Sequence, residues 1–234
     1  IFDRVGQYIA NGHYGDKGEF IILGGTWSNY SYEYQKTFMR DLYYACNVFF
    51  DRTREERYTL EKEKTINETA LFKVIGLTIE TRPDMITPDE IKRFIEYGVT
   101  RVQIGVQTTH DHLLKKINRK CYSIDTKRAL YLLKNAGFKI LCHYMPNLPG
   151  ATPDLDIEMF DTVANDPDFD CDELKIYPTS VTTTSDKDIE NVNTVIEKWF
   201  LEGKYVPYSN EELKEVIKHF KRIIKSNKRI SRIF

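Results

Sequence analysis

The sequence predicts an α/β fold in which a parallel sheet is covered by helices, and three observations carry that reading. Five short apolar or β-branched runs recur along the 234 residues. After the first gap, their starts fall about one βα unit apart. Between them lie amphipathic helices with legible ends, and near-continuous apolar strands set between such helices belong to a parallel sheet with covered faces. An open doubly wound sheet and a barrel both satisfy this pattern.

The first run is Phe20 to Leu23 and the second Val74 to Ile79. The segment between them from Asp51 to Glu68, rich in Arg, Glu, Lys and Thr, reads as a charged helix or an insertion. After the second run, Thr87-Pro88-Asp89-Glu90 has the form of a capping box with proline at the first helical position. Ile91, Phe94 and Ile95 then share a face, and Gly98 is the stop. The third run is Arg101 to Val106. A helix containing Ala129, Leu130, Leu132, Leu133 and Ala136 follows it and ends at Gly137. Lys139 to Cys142 and Glu173 to Tyr177 are the fourth and fifth runs. Ser209 with Glu212 caps a last helix, whose face is Leu213, Val216, Ile217, Phe220 and Ile224 and which is expected to run as a basic helix over 209–234. With no solenoid repeat and no low-complexity linker, residues 1–234 are expected to form one domain.

Thirty-four Lys and Arg against 35 Asp and Glu leave a net charge of −1. No apolar run approaches the ~20 residues that a membrane helix needs, so no membrane partner is expected. Cys46, Cys121, Cys142 and Cys171 lack the close spacing of a zinc site or a disulfide framework, which makes a reducing, cytoplasmic compartment the expectation and leaves no metal ligand to assign. Neutrality hides an uneven distribution. From Val216 to Phe234 there are seven cations, including Lys218, Lys221, Lys225 and Arg229, and no acid. Such a segment meets polyanions or solvates a helix face, and charge alone leaves both open. The chain starts at Ile1 without an initiator Met and stops in a charged apolar stretch, so it reads as a piece of something longer.

In parallel architectures ligands bind at the carboxyl ends of the strands, and every run here is followed there by polar or permissive residues. The first is followed by Gly24-Gly25-Thr26, where the backbone can approach a ligand and expose N–H donors. Glu80-Thr81-Arg82-Pro83-Asp84 follows the second. The third ends in Gly105-Val106-Gln107, the fourth in His143-Tyr144-Met145-Pro146-Asn147-Leu148-Pro149-Gly150 and the fifth in Tyr177-Pro178-Thr179. Singly, each has a bland account: an ordinary turn, a surface ion pair, a satisfied core histidine. Together they make a polar cup that suits a small zwitterionic or sugar-bearing ligand better than a phosphate, because neither GxGxxG nor GxxxxGK occurs.

The order of Gly-Gly-Thr, Glu80-Thr-Arg-Pro-Asp84, Arg101-Val-Gln-Ile-Gly-Val-Gln107, Asn118-Arg119, His143-Tyr-Met-Pro-Asn-Leu-Pro149 and Leu174-Lys-Ile-Tyr-Pro-Thr179 resembles the radical S-adenosylmethionine domain of the Elongator catalytic subunit family. The resemblance covers nearly the whole chain, including the approach from Gly203-Lys204-Tyr205 to Tyr208-Ser209. GGT and GVQ are widespread among radical S-adenosylmethionine enzymes; the ETRPD, HxMPxLP and LKIYPT strings are far more specific. The resemblance implies an α/β fold of partial (β/α)6 TIM-like barrel type, a parallel sheet with outer helices. It implies an enzyme that builds the 5-carboxymethyl group on the wobble uridine of tRNA from acetyl-coenzyme A.

In that family an iron-sulfur cluster ligates S-adenosylmethionine and cleaves it reductively, and the 5′-deoxyadenosyl radical abstracts hydrogen from the acetyl group. Matched by motif, Gly24, Gly25 and Thr26 would take the methionine amino and carboxyl groups of S-adenosylmethionine. Glu80 and Gln107 would hydrogen-bond its ribose or amino end, and Arg119 would pair with its carboxylate. His143 and Met145 would line the cavity, and Lys175 and Tyr177 would stand where the acetyl donor or the uridine approaches. The implied partners are tRNA, acetyl-CoA and other Elongator subunits, with Lys218, Lys221, Lys225 and Arg229 as the expected tRNA contacts.

The match also has departures. The family's three-cysteine loop is not found here, so a [4Fe-4S] cluster is expected only in a full-length protein, and this fragment alone is expected to be inactive. The first strand and cluster loop, and the acetyltransferase-like domain after the barrel, are expected outside this stretch. Trp27 stands where the family more often has phenylalanine, and Val181 to Asn191 matches poorly. Two other readings stay open: another radical S-adenosylmethionine enzyme, such as one acting on a porphyrinogen, and a non-catalytic RNA-binding barrel.

Overall fold

Lys17–Ile22 (β1) and Lys73–Thr81 (β2) run parallel, with Phe20 opposite Leu77 and Ile22 opposite Ile79. They belong to a computed structural model that describes residues 1–23, 25–52, 54–181 and 194–234. Arg101–Gln107 (β3), Lys139–Tyr144 (β4), Glu173–Ile176 (β5) and Arg229–Ile233 (β6) follow, and the strand order in the sheet is the chain order, β1 to β6. Chain-order neighbours joined by parallel pairing require a helical crossover each time, which is the expected α/β alternation. The helices are Phe2–Ala10 (α1), Tyr32–Asn47 (α2), Leu60–Asn67 (α3), Pro88–Tyr97 (α4), Asp111–Lys116 (α5), Ser123–Asn135 (α6), Pro153–Asn165 (α7), Val195–Leu201 (α8) and Asn210–Ile223 (α9).

The chain divides into two compact units, one of residues 1–103 and 132–139, the other of residues 104–131 and 140–234. In the first, Met39, Leu77, Ile79, Phe94 and Tyr97 are fully buried. Tyr97 donates to the Gln35 side-chain oxygen at 3.1 Å. The charged segment before β2 resolves into α3, capped by Thr59. Its Glu63 is buried, and burial alone would push its carboxyl up. The Arg54 fork at 2.6 and 2.8 Å, the Tyr58 N–H and Asn47 together hold it below the usual carboxylate range. At α4 the sequence is read correctly in part. Thr87 accepts from the Glu90 N–H, Pro88 opens the helix and Gly98 closes it at φ 77°, but the Glu90 carboxylate turns to Arg93 at 2.8 Å.

In the second unit Phe160 of α7 stacks on Phe220 of α9 at 4.4 Å, both fully buried, and Tyr144 is buried beside Phe160. Burying Phe220 is worth about 1.5–3 kcal/mol. The capping box at Ser209 and Glu212 forms in full. The basic helix expected over 209–234 does not: α9 ends at Ile223, Ile224 is extended, and Arg229–Ile233 is a strand. Ile230 and Ile233 stand three apart, and a bulge at Ser231 sets both against β5; with the Ser226-Asn227 turn signal before them, these β-branched residues favour pairing over helix once β5 offers an edge. The pairing sets Leu174 opposite Ile230 and Ile176 opposite Ile233. Arg229 therefore belongs to a strand rather than to a helix face. The fifth run is also shorter than expected, ending at Ile176, and α2 and α7 have no counterpart among the expected helices.

Candidate functional site

In the first unit the candidate residues lie at the carboxyl ends of β1 and β2. Gly24 lies outside the described residues. Gly25 is exposed at φ 77°, a conformation open to glycine at no steric cost, and among the described residues no atom beyond its chain neighbours lies within 4 Å of where its Cβ would be. Thr26 precedes a single 3-10 turn, Trp27–Asn29. That turn is anchored from beneath: Trp27 is buried against Phe38, and the Gln35 amide donates to the Trp27 and Tyr30 carbonyls at 3.3 and 2.9 Å. Ser28 and Thr81 share a hydroxyl hydrogen bond of 2.9 Å, which ties the turn to the end of β2 beside the half-buried Glu80. Arg82 forks onto Asp84 at 2.8 and 2.9 Å.

In the second unit, Gln107, Arg119 and Met145 line one cavity of about 570 Å³, together with Asn118, Thr179 and Trp199. β3 ends on Gln107 at φ 75°, which costs a non-glycine residue about 1–2 kcal/mol. The Gln107 Oε1 atom is buried without a partner among the described residues. Arg119 stands between Asn118 and Lys120, both left-handed at φ 55° and 53°, and its guanidinium donates to the Gly105 carbonyl at 2.9 Å. Gly105 has to be glycine for this to occur. A Cβ there would lie 2.7 Å from Arg119 Nη2 and 2.8 Å from Gln107 Nε2. The Met145 N–H donates to the Gln107 carbonyl at 2.7 Å, continuing the backbone ladder under the cavity.

His143, Lys175 and Tyr177 form a second group, outside that cavity's lining. His143 is the register partner of Lys175, and its ring lies 5.4 Å from that of Tyr177, which stacks on Phe234 at 4.4 Å. Burial, and next the Lys175 charge, lower the His143 imidazole to about 4, so it is neutral at pH 7. Of the pair His143 and Met145, Met145 is in the lining of this cavity and His143 is not. Lys218, Lys221, Lys225 and Arg229 are exposed, Lys218 in an ion pair with Glu215 at 2.6 Å. Sequence reasoning missed Trp199, which no local signal marks, and the role of Asn147. It quoted Asn118 and Thr179 only as parts of strings.

The donor set fits S-adenosylmethionine. A buried, unpartnered carboxamide oxygen, a guanidinium, a thioether and a buried Thr179 Oγ1 without a partner among the described residues converge where a zwitterion with a sugar could bind. The described residues do not fit an iron-sulfur cluster. Among them no three His, Cys, Asp or Glu side chains come close enough to hold a metal, and Cys46, Cys121, Cys142 and Cys171 are buried and outside any disulfide. Burial pushes the Cys46 thiol up to about 12, away from the thiolate that iron requires. A larger hollow of about 670 Å³ in the first unit is walled mainly by apolar side chains, Phe2, Phe20, Ile22, Phe38 and Leu42 among them, with Thr37 and Asp41 also in its lining.

The tRNA uridine(34) acetyltransferase of Dehalococcoides mccartyi (strain CBDB1) is 40% identical over 222 residues, 95% of this chain and 45% of that protein. Human Elongator complex protein 3 is 33% identical over 230 residues, 98% of this chain and 39% of that one. The solved structure of archaeal Methanocaldococcus infernus Elp3 with an N-terminal deletion (1–46) superposes with a TM-score of 0.88 at 37% identity, over 99% of this chain and 51% of that chain. The chain thus spans about half, or less, of the proteins it matches. With residues 3–163 matching the Radical SAM superfamily and the strand order that of a parallel α/β sheet, the chain belongs to that superfamily.

Proposed function

We propose that this chain is the S-adenosylmethionine-binding part of a tRNA wobble-uridine-modifying enzyme of Elongator type, a tRNA uridine carboxymethyltransferase that forms the 5-carboxymethyl group from acetyl-CoA. The observation that carries the reading is the 40% identity, over 95% of the chain, to a relative named for uridine 34 of tRNA. The ETRPD and LKIYPT strings, which make the resemblance specific, lie within that span.

S-adenosylmethionine would supply hydrogen-atom abstraction once bound and reduced by one electron from an iron-sulfur cluster, for which the described residues hold no ligands. The chain's own residues bind and orient. In the second unit Arg119 takes the cofactor carboxylate, and Gln107 takes its amino end or ribose. Met145 closes the cavity floor. Neutral His143 beside Lys175 and Tyr177 makes a polar approach for the acetyl donor or the uridine, with Lys175 supplying the charge for an anionic thioester ligand. Lys218, Lys221, Lys225 and Arg229 contact tRNA phosphates, and other Elongator subunits complete the assembly. Buried cysteines outside any disulfide are consistent with a cytoplasmic, reducing setting. Nucleoside mass spectrometry on tRNA from cells carrying only Lys175→Ala or Tyr177→Phe protein tests this. Loss of carboxymethyl-derived wobble uridines is expected, and unchanged nucleosides in both strains would contradict it.

A further inference from the structure

Two walls of the second unit's cavity come from segments far apart in the chain. Met145, Leu148 and Pro149 belong to the loop after β4, whereas Val195, Ile196 and Trp199 belong to α8. One buried residue joins them. The Tyr205 hydroxyl donates to the Asn147 carbonyl at 2.6 Å, and the Tyr205 N–H donates to the Trp199 carbonyl at 3.1 Å. The α8 end is itself fixed, since Gly203 at φ 68° lets the Lys204 N–H reach the same carbonyl at 2.8 Å while its own N–H bonds Phe200 at 3.1 Å.

The loop end is fixed as well. Asn147 is buried and left-handed at φ 64°, and every polar group it has is used. Its N–H donates to Asp156 Oδ2 at 2.7 Å, its side-chain oxygen accepts from the Tyr208 N–H at 3.1 Å, and its side-chain nitrogen donates to the Tyr208 carbonyl at 3.2 Å. The Tyr208 hydroxyl closes the ring on Asp156 Oδ2 at 2.7 Å. A strained, fully satisfied residue beside a ligand cavity is the place where backbone geometry is set for function.

We infer that Tyr205 is a positioning residue, a strut that sets the spacing between the Asn147 loop and α8 and so the width of the cavity. The inference rests on the reading of this cavity as the S-adenosylmethionine site. Tyr205→Phe keeps the ring and removes one hydroxyl, so the loss is of geometry and one buried hydrogen bond. The control is Tyr43→Phe, which deletes a comparable buried bond, Tyr43 to the Tyr97 carbonyl at 3.2 Å, in the other unit.

In the full-length protein, S-adenosylmethionine affinity is measured by calorimetry, and hydrogen exchange is followed on peptides covering 143–150 and 195–205. Tyr205→Phe is expected to weaken binding about five- to tenfold, the worth of one hydrogen bond. It should speed exchange in both peptides, while Tyr43→Phe lowers the melting temperature as much and changes neither readout. Unchanged affinity and exchange in Tyr205→Phe, with Gln107→Gly still weakening binding, would overturn the strut and leave the cofactor site standing. If Gln107→Gly also leaves affinity unchanged, the cofactor reading fails, and the exchange comparison by itself decides the strut.

Discussion

Arg119 Nη2 lies 2.9 Å from the Gly105 carbonyl oxygen, in space that only a residue without a side chain leaves open. Gly105→Ala would press a methyl group on the flexible ends of Arg119 and Gln107 and on no backbone atom. The fold should therefore survive, with a melting temperature within about 3 °C of the parent, since an alanine in a strand recovers some backbone entropy. S-adenosylmethionine affinity should fall about tenfold as both polar groups are displaced. Equal affinity in the two proteins would mean that this pair of side chains does not contact the cofactor.

Gln107 holds a left-handed backbone that glycine adopts freely and alanine does not. Denaturant unfolding should find Gln107→Gly as stable as the parent or more so, and Gln107→Ala less stable than Gln107→Gly by about 1 kcal/mol. A position at which the stabilising substitution impairs binding is kept for binding. The reverse stability order would show that the conformation carries no strain.

Acid stability should report His143. Its folded value of about 4 lies below the unfolded 6.5, so between these values the unfolded chain binds the extra proton and the folded chain does not. Stability from this group is complete above pH 6.5 and is lost as pH falls toward 4, by an amount on the order of 3 kcal/mol. His143→Phe should flatten that part of the stability profile. A parent profile with no slope between pH 6.5 and 4 would contradict the burial that lowers this imidazole.

The basic residues near the end of the chain should bind tRNA although they do not share one helix. Lys221 and Lys225 flank the end of α9, and Arg229 opens β6; all three are exposed. Reversing them to Glu in the full-length protein should weaken tRNA binding for every sequence alike and reduce the salt slope of log K by about two to three. Cofactor binding should stay the same. An unchanged slope would assign these charges to solvation.

Much of this was legible beforehand because the signals were local. Thr87-Pro88 and Gly98, Ser209 and Glu212, and the five apolar runs each state their structure within a few residues. Motif order grouped Gln107, Arg119 and Met145, and the structure places the three in the lining of one cavity. What the sequence concealed is long-range. That Tyr205 and Tyr208 converge on Asn147, 58 and 61 positions away, is a consequence of packing that no periodicity encodes. Trp199 entered the cavity for the same reason. The tail is a different case: its cations suit a helix face, whereas Ile230 and Ile233 pair with β5 only through a bulge at Ser231, which no simple period in the sequence marks. His143 and Met145 share a motif, but His143 lies within β4 and Met145 beyond its end, in the loop that walls the cavity, so adjacency in the motif does not put both in the lining.

In the proposed function the second unit's cavity holds S-adenosylmethionine through the Gln107 oxygen, unpartnered among the described residues, and the Arg119 guanidinium. Calorimetric titration of S-adenosylmethionine into the full-length protein, parent against Gln107→Gly, tests it most directly, because that substitution removes the carboxamide without straining the backbone. A loss of affinity of about 1–3 kcal/mol is predicted, the cost of leaving a buried polar ligand group unpaired. Indistinguishable affinities would contradict the claim and place the cofactor elsewhere.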